Sequence, residues 1–165
     1  MAKKVAVLAV NPVNGCGLFQ YLEAFFENGI SYKVFAVSNS KEIRTNSGIA
    51  LVVDDVIANL KGHEDDFDAM VFSCGDAIPQ FAQHAGESYN QDLMAVIAAF
   101  GQKEKIMIGH CAGAMLFDMA GASMERWWLS IRLQSQLSKG ERQQTTNLRS
   151  MEISIRLKMK IASGQ

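Results

Sequence analysis

The chain has 165 residues, of which 48% are hydrophobic and 20% are charged, and its formal net charge at pH 7 is −1. This length predicts one domain with a full layered core, and the near-neutral charge argues against a nucleic-acid partner. The apolar start MAKKVAVLAV is too short for a signal peptide, and no apolar stretch reaches membrane-spanning length, so we expect a cytoplasmic protein without membrane contact.

Short β-rich runs alternate with helical patterns over the first 121 residues. The predicted strands are at 3–10, 31–37, 49–53, 68–74 and 105–108. The predicted helices are at 18–29, 54–60, 76–84, 87–101 and 112–120. This alternation predicts an α/β fold with a doubly wound, flavodoxin-like parallel sheet sandwiched by helices. The acidic run at 64–66 is interpreted as a solvated loop.

The three cysteines each follow the end of a predicted strand: they are Cys16, Cys74 and Cys111. Because the carboxyl ends of parallel strands share one edge of a sheet, neighbouring strands would bring the three thiols together. Their odd number and irregular spacing predict reduced thiols. A zinc site built from these thiols and His110 lacks a C-x-x-C pair, so we expect no metal and no cofactor.

The turn around Cys111 has the G-x-C-x-G pattern of a nucleophile elbow. Gly109 and Gly113 allow a tight strand-to-helix turn, which exposes the sulfur above the first turn of the following helix. The positive end of that helix favours the thiolate. The backbone N–H groups of Ala112 and Gly75 are the predicted donors to an oxyanion.

Four segments resemble the ThiJ/PfpI superfamily, which is allied to class I glutamine amidotransferases and includes the parkinsonism-associated protein: KKVAVLAV, SGIALVVDDVI, DAMVFSCGD and IGHCAGAMLF. The resemblance covers residues 3–121 of a predicted single domain, 1–165. It implies a sandwich fold, usually a homodimer, with Cys111 as nucleophile or oxidation-sensitive thiol beside the amides of Gly75 and Ala112. Members process glyoxals or glycated groups, hydrolyse peptides, act as chaperones or have no known activity. The implied partner is a small-molecule or peptide substrate.

Two partners that many members place beside the cysteine are missing here. No glutamate lies between Met1 and Glu23, where the loop after the first strand would supply one. Counting along the chain puts Cys16 or Gly17 at that position. No histidine follows Cys111.

The remaining site candidates are accessory. His110 adjoins the nucleophile, although neighbours on such a turn normally point apart. Cys16 could resolve the oxidised nucleophile as a disulfide or be a chance thiol. Asp76 could form a hydrogen bond near the site or cap the following helix. His63 and His84 are expected at the solvated surface.

Composition changes near Gly121. Residues 1–121 hold eight basic and fourteen acidic side chains, whereas residues 122–165 hold eight and three, with only two of the 13 glycines. If the last base of each codon is joined to the first two of the next, Trp127-Trp128 becomes valine, and synonymous codons permit G-K-V-V-A-V-H-P. Our hypothesis is a frame-shifted family C-terminus from about residue 122.

The same tail also permits an ordinary structural interpretation. Leu129, Leu133 and Leu137 suit a helix, and the alternating apolar residues at 151–161 suit a strand. Both interpretations place the family-like core at 3–121 and an atypical segment at 122–165.

These patterns leave three functions open. The first is a cysteine-dependent hydrolase similar to protease I, or a stress protein that processes glyoxals or glycated groups. The alternative is a non-catalytic member that senses oxidation through Cys111 or binds a ligand. A glutamine amidotransferase ranks last because it needs a histidine and glutamate pair downstream of the cysteine.

Overall fold

The computed structural model describes residues 4–110, 113–122 and 128–131. The strands are β1 (Lys4–Val10), β2 (Ser31–Val37), β3 (Glu42–Arg44), β4 (Ala50–Val52), β5 (Asp55–Val56), β6 (Ala69–Ser73), β7 (Ile106–His110) and β8 (Trp128–Ile131). The α-helices are α1 (Gly15–Glu27), α2 (Ser88–Gln102) and α3 (Gly113–Met119). Short 3-10 helices cover Ile57–Asn59, Glu64–Asp66 and Ile78–His84.

Six strands form one sheet in the order β5-β2-β1-β6-β7-β8. The pairs β2–β5, β1–β2, β1–β6 and β6–β7 are parallel. The chain winds outward from β1 through β2 to β5, then crosses to β6 and β7 on the other side of β1. The winding direction therefore reverses between β1 and β6, which is where open α/β sheets bind ligands. The predicted flavodoxin-like sheet is confirmed.

The central position of β1 explains its uninterrupted apolar sequence. Residues 5–10 are at most 2% exposed, because a strand inside a sheet covered on both faces buries consecutive side chains. Helix α1 covers the sheet through one stripe, in which Leu18, Tyr21 and Phe25 recur at helical spacing and are fully buried. These contacts fix the start of α1 beside the end of β1.

Most predicted elements agree with the structure, but those predicted at 49–53, 54–60 and 76–84 differ. The helix predicted at 54–60 is wrong for its first part, because β5 (Asp55–Val56) pairs parallel with β2, and only Ile57–Asn59 is a 3-10 helix. The confirmed strands are those predicted at 3–10, 31–37, 68–74 and 105–108. The strand predicted at 49–53 is not in the parallel sheet, since it is β4, which pairs antiparallel with β3. Its burial pattern is exposed, half-buried, exposed, so it lacks the apolar surface that a strand covered on both faces requires. The helix predicted at 76–84 is the 3-10 helix Ile78–His84.

The acidic run at 64–66 is not simply a solvated loop. Glu64 is only 5% exposed, and its Oε1 accepts the N–H of Gly62 at 2.9 Å. Asp65 is exposed and lies 2.9 Å from the Lys103 ammonium. The hydrogen bond from Lys103 lowers the pKa of the Asp65 carboxyl below its ordinary value. The prediction is therefore wrong for Glu64, which is buried because its carboxylate has partners.

Lysine residues form hydrogen bonds at the edge of the sheet where the strands begin. Lys105, directly before β7, donates from its Nζ to the carbonyls of Glu64 and Phe67, both at 2.6 Å. The backbone N–H of Lys4 donates to Oδ2 of Asp68 at 2.8 Å. This edge of the sheet, at which the ion pair between Lys103 and Asp65 also lies, is called the amino edge.

The chain divides into two units, Met1–Ser130 and Ile131–Gln165. The first unit contains the elements from β1 to α3. The single domain expected over 1–165, with its boundary near 121, stays a prediction.

The tail predictions are mostly beyond the described residues. A helix through Leu129 is wrong, because this residue belongs to β8, which is hydrogen-bonded beside β7. Leu133, Leu137 and the strand predicted at 151–161 lie outside the residues that the structure describes.

Candidate functional site

Two loops meet at the carboxyl edge of the sheet, where the winding direction reverses. The loop after β1 is tied to the end of β6, since the N–H of Asn14 donates to the carbonyl of Cys74 at 2.9 Å. It is also tied to β3, since the N–H of Val13 donates to the carbonyl of Arg44 at 2.8 Å. Asn14 then caps α1 by accepting the N–H of Gly17 at 3.0 Å.

Gly75 lies where these two loops come closest. A Cβ at this position would be 2.1 Å from the carbonyl oxygen of Pro12 and 2.6 Å from Cα of Val13. Both contacts are with backbone, so no side-chain rotation could relieve them. The N–H of Gly75 has no acceptor among the residues that the structure describes. Gly75 therefore combines a close backbone approach with an unused hydrogen-bond donor.

The turn from β7 to α3 is bordered by two glycines that contact aromatic rings. A Cβ on Gly109 would be 2.9 Å from two ring atoms of Phe117, and one on Gly113 would be 2.9 Å from Cδ1 of Phe72. Phe72 and Phe117 pack edge to face with centroids 6.4 Å apart. The glycines are thus required, but by the side chains of β6 and α3 more than by the turn's own backbone. The two residues between β7 and α3, Cys111 and Ala112, lie outside the described residues.

A cavity of about 370 Å³ opens between the loop after β6 and α3. Gly75 and Cys74 form one side of its lining, and Met115 and Met119 of α3 form another. The other described residues in its lining are Asn14, Asn46, Asp76, Ile78, Pro79, Phe81 and Ala82. The cavity is therefore mostly apolar, with a few polar groups from the loops.

Asp76 is an exposed residue of this lining. Its N–H donates to Oδ1 of Asn46 at 3.2 Å. The residue that caps the following 3-10 helix is Ala77, with no side-chain hydrogen bond, so the expected capping role of Asp76 is not seen. The Asp76 carboxylate is left facing neither a cation nor a helix end among the described residues.

Cys74 lies at the buried side of the cavity. It is 4% exposed. The neighbouring Tyr21 is fully buried, and burial, followed by the charge of Cys74, raises the pKa of its hydroxyl well above the ordinary value. Tyr21 is therefore neutral at physiological pH and provides no base.

Among the described residues, Cys16, His63 and His84 do not line this cavity. Cys16 is an exposed free thiol in the first turn of α1, and its Sγ accepts a hydrogen bond from Nε2 of Gln20 at 3.0 Å. His63 and His84 are exposed, as predicted. The backbone of His110 ends β7, and its side chain lies outside the description.

The strands that precede the three cysteines are neighbours, because β1, β6 and β7 are adjacent, so the condition set for a shared edge is met by the strands. The sequence interpretation missed the α3 methionines and Asn46. Met115 and Met119 are four residues apart on a helix, a spacing that puts two side chains on one face. That spacing could have predicted that the two methionines share a face. No sequence pattern predicts that Asn46, which lies between β3 and β4, contributes to the site.

No group of histidine, cysteine or acidic side chains within the described ranges could hold a metal ion. Among the same residues, no helix is long and apolar enough to cross a membrane.

Comparisons with known proteins find high sequence identity to proteins of Bacteroides thetaiotaomicron. No family model matches the chain. Protein ppBat of Bacteroides thetaiotaomicron is 79% identical over 121 residues, which are 73% of this chain and 69% of that protein. A crystal structure of a candidate protease I from Bacteroides thetaiotaomicron is 78% identical, with a TM-score of 0.73, and the match covers 73% of this chain and 70% of that one.

More distant solved structures share the fold. Drosophila melanogaster DJ-1beta is 13% identical with a TM-score of 0.63, over 85% of this chain and 79% of that one. The oxidised DJ-1 of Toxoplasma gondii is 16% identical with a TM-score of 0.61, over 73% of this chain and 62% of that one.

Proposed function

We propose that this chain, which belongs to the ThiJ/PfpI superfamily, is a cysteine-dependent hydrolase in which Cys111 attacks the carbonyl carbon of a small substrate or peptide. The observation that carries the proposal is the close packing of the two glycines on either side of that cysteine. A Cβ on Gly109 or Gly113 would be 2.9 Å from the ring of Phe117 or Phe72, respectively. Helix α3 begins at Gly113, and its Met115 lines the cavity. In our proposal the Cys111 thiol reacts with a substrate bound in this cavity.

The N–H groups of the turn and of Gly75 suit the charge that such a reaction develops. Attack by the Cys111 thiolate forms an S–C bond while the carbonyl π electrons move onto oxygen. In our proposal the N–H groups of Gly75 and Ala112 donate to this oxyanion. Gly75 is buried, and its N–H has no acceptor among the described residues, which supports the assignment because a buried donor without an acceptor is costly unless a ligand uses it.

The intermediate then collapses in a balanced sequence. The C–N bond breaks, the leaving amine takes a proton from water, and a thioester to Cys111 remains. The hydroxide left by that water hydrolyses the thioester, releases the acid and restores the thiolate. The 78% identity to a candidate protease I supports peptides as the first substrates to test. Glyoxals are a different case, because an aldehyde carbonyl has no leaving group. There the thiolate would form an S–C bond, the π electrons would move onto oxygen, and a proton from water would complete a hemithioacetal, which is the first step that a stress-protein activity on glyoxals or glycated groups would require.

The test compares purified wild-type protein with Cys111→Ser and with Cys16→Ser as the matched control. Peptide hydrolysis and loss of a 2-oxoaldehyde are both followed. We expect Cys111→Ser to lose at least about a hundredfold of whichever activity is present, and Cys16→Ser to keep it. Equal activity in wild-type and Cys111→Ser, or no activity in either assay, contradicts the proposal.

One observation favours a second function. The described lining of the cavity contains neither a histidine nor a glutamate, so no strong base has been placed beside the thiol. A family member that senses oxidation at Cys111, or binds a ligand without turnover, needs no such base. Peroxide treatment followed by peptide mapping discriminates the two functions, since a sensor oxidises at Cys111 before Cys16 and Cys74 yet shows no turnover.

We also propose that the protein is a cytoplasmic homodimer. The exposed free thiol of Cys16 suits a reducing compartment. Phe26 and Val52 are 76% and 77% exposed, which is apolar surface that a second copy would cover. Sedimentation equilibrium at two protein concentrations tests the dimer, and a single species of 18.1 kDa contradicts it.

A further inference from the structure

We infer that the cavity between the loop after β6 and α3 selects substrates that carry an apolar side chain next to the attacked carbonyl and no negative charge. This inference rests on the proposed function and adds the substrate class. Its carrier is the contrast between the apolar wall of the cavity and its single described carboxylate, Asp76.

The size of the cavity limits what it can hold. Its volume of about 370 Å³ lies at the small end of ligand pockets, which are about 300–1,000 Å³. A cavity of this volume has room for one bulky side chain and its flanking backbone, but not for several residues of a peptide at once. A glycine residue or a bare glyoxal would leave most of it to water.

The wall of the cavity matches an aliphatic or aromatic side chain. Ile78 and Phe81 are buried and form a fixed surface, 4% and 7% exposed. Met115 and Met119 are 51% and 57% exposed, so their flexible side chains can close over a bound group. Burial of a leucine or phenylalanine side chain there would give a preference of about 10- to 100-fold over glycine.

The charge of the lining sets a second preference. Asp76 is the one charged residue in the described lining, and no cation neutralises its carboxylate among those residues. A substrate carboxylate would therefore be repelled, whereas an ammonium group would be attracted. Because Asp76 is exposed and screened by solvent, we expect a smaller effect, about fivefold between oppositely charged substrates.

The inference is tested with N-acetyl amino-acid chloromethyl ketones of glycine, leucine, phenylalanine, lysine and aspartate. In each reaction the thiolate of Cys111 forms an S–C bond, the C–Cl bond breaks, and chloride leaves. Peptide mapping by mass spectrometry gives the second-order labelling rate at Cys111 for each probe, with Cys16 as the internal reference. We expect the phenylalanine and leucine probes to label at least tenfold faster than the glycine probe, and the lysine probe faster than the aspartate probe.

Three variants separate cavity recognition from general reactivity. Met115→Glu should reduce the phenylalanine-to-glycine rate ratio about tenfold, and Asp76→Lys should reverse the lysine-to-aspartate ratio. Glu27→Ala, an exposed residue of α1 outside the lining, should change neither ratio. The helical signal in circular dichroism checks that each variant is folded.

The outcomes distinguish the inference from the proposed function. Rapid labelling of Cys111 at the same rate by all five probes overturns the substrate class and leaves the thiol nucleophile intact. Labelling of Cys111 no faster than Cys16 by every probe overturns both. Retention of both ratios in Met115→Glu and Asp76→Lys also overturns the inference, because the selectivity would then arise elsewhere.

Discussion

The two edges of the sheet differ in whether their polar groups have hydrogen-bond or ion-pair partners. At the amino edge, Lys105 donates to two backbone carbonyls and Lys103 pairs with Asp65. At the carboxyl edge, the N–H of Gly75 and the carboxylate of Asp76 have no such partners within the described residues. The amino edge is closed by pairing, whereas the carboxyl edge keeps donors and charge available to a ligand.

This difference shows how one architecture separates stability from chemistry. Parallel strands start at one edge and end at the other, so the connecting loops of each edge can be specialised independently. We expect substitutions at the amino edge to change the free energy of unfolding without changing the reactivity of Cys111. Substitutions at the carboxyl edge should change both.

The largest effect is expected at Gly75. Gly75→Ala places a Cβ against the backbone of Pro12 and Val13, so the two loops must separate, at a cost of about 3 kcal/mol in the free energy of unfolding. The labelling rate of Cys111 should fall with it. Urea unfolding followed by circular dichroism gives the first quantity, and iodoacetamide labelling gives the second.

Gly86→Ala is the matched control, because nothing lies within 4 Å of a Cβ at that position. It should change the free energy of unfolding by less than about 0.5 kcal/mol. Similar stabilities for the two alanine variants would show that the loops at the carboxyl edge do not need their close approach.

A smaller effect on stability alone is expected at the amino edge. Lys105→Met removes two charge-assisted hydrogen bonds and should cost about 2 kcal/mol. Lys61→Met, which breaks an exposed ion pair with Asp92, should cost less than about 1 kcal/mol. Both are measured by urea unfolding. A changed labelling rate of Cys111 in Lys105→Met would mean that the two edges are not independent.

The smallest effect depends on pH and belongs to Asp55 of β5. A hydrogen bond from Lys33, followed by one from Asn59, lowers the pKa of the Asp55 carboxyl from 3.8 to about 2. A lowered folded-state pKa stabilises the protein above about pH 4, and this contribution is lost as the pH falls toward 2. Since Lys33 is 35% exposed, we expect about 1 kcal/mol at pH 7.

Urea unfolding of Asp55→Asn between pH 2.5 and pH 7 measures this contribution. The difference from wild-type should be largest above pH 4 and should shrink below it. Glu23→Gln, which alters an exposed carboxylate with no ion pair among the described residues, should show no such trend. A constant difference for Asp55→Asn would exclude a titrating Asp55.

The sequence predicted the parallel sheet well because buried strands carry their own signal. The apolar run at 3–10 is uninterrupted where β1 is central, and the glycine and cysteine pattern located the turn after β7. The sequence could not predict the β3–β4 hairpin, since three-residue strands with exposed side chains have little pattern. It could not predict that Asn46 joins the site, because that contact depends on the packing of distant loops.

The reasons for the glycines also became specific only in three dimensions. The G-x-C-x-G pattern predicted close packing, but nothing in the sequence identified Phe72 and Phe117 as the rings involved. The sequence predicts Gly75 as an amide donor. The close approach of Pro12, which also requires a glycine at this position, depends on how two loops pack.

The frame-shift hypothesis for the tail stays a prediction. The match to ppBat spans 121 residues, which is about the length of the family-like core predicted at 3–121. Sequencing the gene around codon 122 tests the hypothesis directly. We expect a single-base insertion or deletion there to restore a family-like frame containing a histidine. A gene in which no such change restores that frame contradicts it.

The central claim is that the turn after β7 holds an activated thiol, and the pH dependence of Cys111 alkylation tests it most directly. The rate of iodoacetamide labelling is measured at Cys111 and Cys16 between pH 5 and pH 9 by peptide-resolved mass spectrometry. An ordinary thiol has a pKa of about 8.5, so its rate rises steeply over this range. We predict that Cys111 reacts faster than Cys16, at a rate that is independent of pH from about pH 6.5 upward. A rate at Cys111 that climbs with pH in parallel with Cys16 would contradict the account.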